Sequence, residues 1–138
     1  MPKLEDIERR ALELDGTPFR HQGRVPGVGL DCIGVLVCAV GDSARVVDVT
    51  DYPADPPGDR LLQLLEQHAV ELPQAGIDAV PAGAICTFWE GREDAEHVRH
   101  VAIRTRSGIV HAIRERPTRA VSIGAYWRRH FWRAYRWC

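Results

Sequence analysis

The chain has no apolar run long enough to cross a bilayer. Its longest, Ile33 to Val40, contains a glycine and spans 8 residues, against the roughly 20 that a spanning helix needs. The N-terminal stretch MPKLEDIERRALELDG is charged throughout and lacks the apolar core of a signal peptide. These two absences lead us to expect cytoplasmic synthesis without a secretory leader, and no membrane partner. Net charge is also lacking. The balance of 18 Lys/Arg and 19 Asp/Glu leaves −1, so no global attraction to nucleic acid is expected. The four cysteines, Cys32, Cys38, Cys86 and Cys138, include no CxxC pair, which argues against a zinc site. In a reducing compartment they are expected as free thiols. There is no internal repeat and no low-complexity tract. What remains is 138 residues, 27% charged and 45% hydrophobic, the profile of one domain, 1–138, that can bury a core without disulfides.

The charges are unevenly placed. Residues 1–98 hold 8 Lys/Arg and 18 Asp/Glu, whereas residues 99–138 hold 10 Arg and one Glu. The plain reading is that the two parts pair within one fold. The alternative is a basic face turned toward an anionic polymer or partner.

Periodicity divides the chain in two. Leu4, Ile7, Ala11 and Leu14 predict a helix over 3–14, closed by Gly16. Residues 17–30 are rich in turn formers and predict a long loop. Residues 31–41 predict a helix apolar nearly all round, hence central and buried, ended by Gly41. Pro53, Pro56 and Pro57 suggest a rigid crossing loop over 42–58, with Arg45 to Val49 as a candidate brief strand. A further helix is expected over 59–71, with Asp59 as its N-cap and Leu61, Leu62, Leu64, Leu65 and Ala69 as its stripe. From Pro81 the period becomes strand-like: 84–89, 99–105 and 109–113 are predicted strands, with Ser107-Gly108 as a hairpin turn. A short strand over 119–123, a turn or short helix over 124–129 and an aromatic strand over 130–137 complete the chain. Helices first and strands after is an α+β pattern.

The junction at Asp31-Cys32 organises the functional reading. A loop that enters an apolar helix there presents the helix's first, unpaired amides. Those amides and the helix dipole favour negative charge, so the Cys32 thiol is expected to ionise more readily than a free cysteine. A thiolate nucleophile needs a base and a group that orients the base. His100 and His111 lie on neighbouring predicted strands and are the candidates, because imidazole both accepts and returns a proton near neutral pH. A turn centred on Ser107-Gly108 pairs residues whose numbers sum to about 215, which sets His111 near position 104. Direct contact with His100 then requires a bulge or a shifted register. The Cys32 amide is a candidate oxyanion donor, and the Gln22 side-chain amide a second. His97 is a rival base, and Cys38 and Cys86 read as core. Trp127, Trp132, Tyr135 and Trp137 form an aromatic cluster for which core packing is the default and sugar stacking the alternative.

The stretches GTPFRHQGRVPGVGLDCIG, RHVAI and IVHA, in that order, resemble the NlpC-type family of papain-like cysteine peptidases. These are bacterial and phage enzymes that cut peptide stems in cell-wall peptidoglycan. The resemblance runs from residue 16 to about 137 and is strongest to the phage-tail and gene-transfer-agent branch. It implies a papain-like domain with N-terminal helices packed on an antiparallel sheet. It implies Cys32 as nucleophile, His100 as base and His111 as the polar residue that orients it. Asp31 matches an acid associated with recognising a free amine of the substrate. Phe19 stands where many members have a tyrosine, and Ile33 replaces a serine beside the substrate. The implied partners are a peptidoglycan stem peptide and phage-tail proteins, with no metal or organic cofactor. A docking domain that keeps the fold without the activity, and an amidase or acyltransferase acting on another substrate, are the alternatives.

Overall fold

The computed structural model describes residues 1–54, 58–73 and 75–138. In chain order it contains α1 (Leu4–Glu13), a two-stranded ribbon of β1 (Arg24–Val25) and β2 (Gly29–Leu30), then α2 (Cys32–Val40), α3 (Asp42–Arg45) and α4 (Gly58–His68). The second half holds β3 (Ala69–Glu71), β4 (Ile85–Trp89), β5 (Val98–Arg104), β6 (Ile109–His111), β7 (Arg119–Val121), α5 (Ala125–His130) and β8 (Phe131–Trp137). Strands β3 to β8 form one antiparallel sheet in the order β3-β8-β4-β5-β6-β7. The fold is α+β, with the N-terminal helices packed on that sheet. Among the described residues, no helix is long and apolar enough to cross a membrane.

The sheet carries a core on each face. On one side Ile7, Ala11, Val35, Leu36 and Leu65 from α1, α2 and α4 meet Ile85, Val101 and Ile103. On the other, Cys86, Phe88, Ala102 and Ile109 pack with Trp127 and Phe131. Burial on both faces explains why β5 carries the unbroken apolar run Val101-Ala102-Ile103 rather than a strict alternation. α2 is buried from Gly34 to Val40, between the sheet and α1. Arg10 of α1 donates to the carbonyls of Ala39 and Val40 at 2.7 and 2.9 Å. Those carbonyls sit in the last turn of α2, where no intrahelical donor reaches them and a cation is favoured.

Several expectations need correction. Arg45–Val49 is not a strand: α2 ends at Gly41 in a positive-φ conformation and the chain restarts a helical turn at once, burying Ala44. The helix expected to reach residue 71 stops at His68. Ala69–Glu71 instead pairs with β8 and covers its edge. Asp59 lies inside α4, which begins at Gly58, and Pro56 and Pro57 lie outside the described residues. The third strand ends at His111, two residues early.

The β5–β6 register also differs from expectation, and this matters most for the site. Ile103 pairs with Val110 and Arg104 with Ile109, so the partner numbers sum to 213. The turn is centred on Arg106-Ser107, because Thr105 N donates to Gly108 O at 2.8 Å and Gly108 N donates to Thr105 Oγ1 at 3.0 Å. Continuing the ladder sets His111 beside Ala102. His100 then lies diagonally next to His111 on the same face, within reach of a long side chain.

Candidate active site

Cys32 is the first residue of α2, and Asp31 is its N-cap, accepting from Gly34 N at 2.8 Å. The loop before it folds back as the β1–β2 ribbon, with Phe19 bridged to Leu30. Gly34 makes this entry possible. A Cβ there would collide with the carbonyl oxygen of Gly23, so only glycine lets the helix mouth and the loop approach so closely. α2 packs across β5 beyond the point where β6 has ended, and the backbone amides of Val101 and Ile33 lie against the Cys32 sulfur.

His100, adjacent to Val101, is buried, and its Nε2 lies 2.8 Å from Nδ1 of His111, also buried. That contact leaves Nδ1 as the free ring nitrogen of His100. Trp127 of α5 covers the pair, with its ring centroid 4.6 Å from that of His100 and 5.0 Å from that of His111. Phe88 closes the far side of His100 at 5.8 Å. Cys32 and His100 line one cavity of about 400 Å³, together with Phe19, Asp31, Tyr52 and Trp127. Among the described residues, no hydrogen bond joins the thiol to His100. Such bonds are often long in an empty site and tighten when substrate binds. His111 stands behind His100 and faces a separate recess of about 320 Å³.

The electrostatics reverse one expectation. The Cys32 thiol is pushed up to about 12, first by burial, then by the negative charges of Asp31 and Glu90. The amides of Val101 and Ile33 pull the other way, as the helix-mouth argument requires, but they are outweighed. The residue keeps some surface open to the cavity while its sulfur is enclosed. His100 is held well below its usual 6.5 by burial, with the neighbouring His111 adding to it. Burial alone lowers His111 to about 4. In the empty site at neutral pH the sulfur is therefore a thiol and both imidazoles are neutral.

Two candidate residues are placed differently from their expected roles. The Asp31 carboxylate accepts four bonds from within the protein. Gly34 N at 2.8 Å and Arg24 Nη1 at 3.0 Å reach Oδ1, while Gln22 N at 2.8 Å and the Tyr52 hydroxyl reach Oδ2. A carboxylate has about four acceptor positions, so none is left for a substrate amine. Gln22 adopts a left-handed backbone at φ 60°. This aims its N–H at Asp31 and sends its side-chain amide to the Tyr52 carbonyl at 2.8 Å, not to an oxyanion. His97 is bonded to Asp94 at 2.6 Å and is not on the cavity wall.

Sequence reasoning misses Tyr52 and reads Trp127 as core packing by default, with sugar stacking as the alternative, yet both line the cavity. Tyr52 belongs to a proline-rich stretch with no periodic signal, and its hydroxyl reaches Asp31 from 21 residues away. Burial first, then its bond to Asp31, keeps that hydroxyl protonated. It supplies a phenol beside the cysteine although Phe19 does not. Cys38 and Cys86 are buried and Cys138 is exposed. Among the described residues, no group of three His, Cys, Asp or Glu is arranged to hold a metal ion.

No protein-family model matches this chain, and no curated protein matches it in sequence. Solved structures do. One is a crystal structure from Staphylococcus aureus subsp. aureus Mu50 described as similar to lipoprotein, NLP/P60 family. It superposes with a TM-score of 0.60 at 22% identity, over 96% of this chain and 40% of that one. The likeness is one of fold, and this chain spans less than half the length of that protein.

Proposed function

We propose that the chain is a thiol hydrolase that cuts an amide bond in peptidoglycan stem peptides. The observation that carries this reading is a helix-mouth cysteine sharing a cavity with a buried imidazole whose far nitrogen is tied to a second imidazole. In the reaction, the Cys32 proton passes to Nδ1 of His100 as the sulfur bonds the substrate carbonyl carbon. His100 then gives that proton to the leaving nitrogen and the C–N bond breaks, leaving a thioester. Water, losing a proton to His100, attacks the thioester and releases the carboxylic acid and the thiol. His111 Nδ1 accepts the Nε2–H of His100 throughout. It thereby fixes the tautomer and shares the charge while His100 is doubly protonated, the part an acid plays in a Ser-His-Asp triad. The Cys32 amide, in the first turn of α2, is the oxyanion donor.

The fold shared with an NLP/P60 structure and the loop and histidine motifs support the cell-wall substrate. The TPFRHQGR-type loop supports a phage-tail or gene-transfer-agent setting, in which the domain would be carried by a virion. A second reading, a docking domain of a tail assembly, has one observation in its favour: the thiol is pushed up to about 12 rather than down.

The test is digestion of purified peptidoglycan by the wild type and by Cys32→Ala, with new termini identified by mass spectrometry. The hydrolase reading requires new amine and carboxyl termini with the wild type and none with the variant. Identical digests lacking new termini would overturn it in favour of docking.

A further inference from the structure

The cavity wall carries two charged groups that the proposed chemistry does not use. Glu90 follows β4 directly, and its N–H donates to the His97 carbonyl at 2.8 Å. Arg99 is the second residue of β5, so both side chains leave the mouth of one hairpin. Both line the cavity that holds Cys32 and His100, and both are half-buried. Glu90 is near enough to the sulfur to oppose its ionisation.

Neither side chain has a protein partner among the described residues, and the two do not form an ion pair with each other. The Nε of Arg99 is enclosed without any acceptor. Opposite charges on neighbouring strands ordinarily close on one another, and a buried donor ordinarily finds an acceptor. Here a carboxylate and a guanidinium line one cavity without pairing, and one guanidinium donor has no acceptor among the described residues. Asp31 cannot take the part of cation receptor, since four internal donors fill it. Glu90 has all its acceptor positions free.

We propose that Glu90 and Arg99 form a receptor for a zwitterionic α-amino-acid head group, Glu90 accepting from the α-ammonium and Arg99 donating to the α-carboxylate. The proposal rests on reading this cavity as the substrate cleft. It narrows the substrate to a peptide with a side chain that ends in a carbon bearing both a free ammonium and a free carboxylate. A guanidinium suits a carboxylate because its planar donors match the two oxygens. Phe19, Ile33 and Trp127 on the same wall would take the apolar stem of such a residue.

The experiment reads binding and needs no hydrolysis. Full-length Cys32→Ala protein is titrated with racemic norleucine, norleucinamide and N-acetylnorleucine, and the amide signals of residues 90 and 99 are followed by NMR. Norleucine is expected to bind about tenfold tighter than either blocked form, the size of one lost charge-assisted bond. Adding Glu90→Gln should abolish its advantage over the N-acetyl form. Adding Arg99→Gln should abolish its advantage over the amide. Equal affinities for the three probes, no binding of norleucine, or advantages unchanged in well-dispersed variants would overturn the receptor. If a variant does not fold, the ranking of the three probes on Cys32→Ala decides alone. Peptidoglycan cleavage without head-group discrimination would sink this inference only. Discrimination without cleavage would sink the hydrolase reading only.

Discussion

Replacing Asp31 by alanine separates a structural hub from a substrate receptor. The side chain caps α2 through Gly34 N, holds the left-handed Gln22 amide, pairs with Arg24 and receives the Tyr52 hydroxyl. It is buried, so all four donors lose their acceptor where water does not readily replace it. A lost N-cap costs about 1 kcal/mol, and breaking a buried ion pair by removing one partner costs about 3–5 kcal/mol. Arg24 retains Asp48 at 2.7 Å, which softens the second figure. The two are not additive, and a loss of about 3–5 kcal/mol overall is expected. For a domain of this size that lowers the melting temperature by roughly 10–15 °C. Urea unfolding should show a lower midpoint with an unchanged slope. The same substitution removes a negative charge that opposes ionisation of Cys32, so iodoacetamide should modify that thiol at lower pH in the variant than in the wild type. Asp31→Asn keeps one acceptor oxygen and remains a good cap, so it should fall between the two. A variant that loses less than about 0.5 kcal/mol, the scale of a surface substitution, would refute the hub. Selective loss of free-amine substrates at unchanged stability would restore Asp31 as the receptor.

Stability should also depend on pH through the paired imidazoles. His111 is near 4 in the folded protein and about 6.5 unfolded, so the unfolded chain binds the proton more tightly. Its contribution is therefore fully present above pH 6.5 and lost as pH falls toward 4, by up to about 3 kcal/mol. His100 acts in the same direction. Urea unfolding at pH 7, 6 and 5 should show the decline, His111→Gln should flatten it, and a flat wild-type profile would contradict the burial argument. Gly34→Ala tests the helix mouth. The new methyl meets the Gly23 carbonyl, and overpacking of this kind costs about 1–3 kcal/mol. The urea midpoint should fall, and with it the peptidoglycan hydrolysis proposed above; an unchanged midpoint would show that the loop yields freely.

The order of chemistry along the chain was legible because it rests on local pattern. An apolar helix opened by Asp31-Cys32 and two histidines on adjacent strands announce themselves in the residues alone. Their contact was not legible, because it depends on where a hairpin turns. Moving the turn centre from Ser107-Gly108 to Arg106-Ser107 changes the pairing sum by two. This carries His111 from beside Arg104 to beside Ala102, so a side-chain hydroxyl at Thr105 that caps the turn decides whether two imidazoles meet. Asp31 misled for another reason. Its cap role is local and was readable, but Tyr52 reaches it from a stretch with no periodicity. Gln22 needed a positive φ that a non-glycine seldom adopts. The edge strand Ala69–Glu71 continued a helical pattern in sequence and became a strand only because β8 lay beside it.

The helix mouth alone does not make a thiolate in the empty site, so the proposed hydrolase requires a change when substrate arrives. Three influences hold the thiol up: burial, Asp31 and Glu90. Burial is set by α2 packing on β5. Asp31 is fixed by four donors and by the charge of Arg24 beside it. Glu90 alone is unpartnered, and its opposition is removed when a cation occupies it. An ammonium docked there would neutralise the carboxylate next to the sulfur, leaving the amides of Val101 and Ile33 less opposed. Reactivity would then follow occupancy of the cleft. The resting protein would be protected from adventitious alkylation and oxidation, which need the thiolate. Glu90→Gln imitates that neutralisation without a ligand. Iodoacetamide should modify its Cys32 faster than the wild type at the same pH, with the rate profile displaced toward acid. Identical profiles would mean that Glu90 does not restrain the nucleophile, and that its activation must come from movement of His100 toward the sulfur instead.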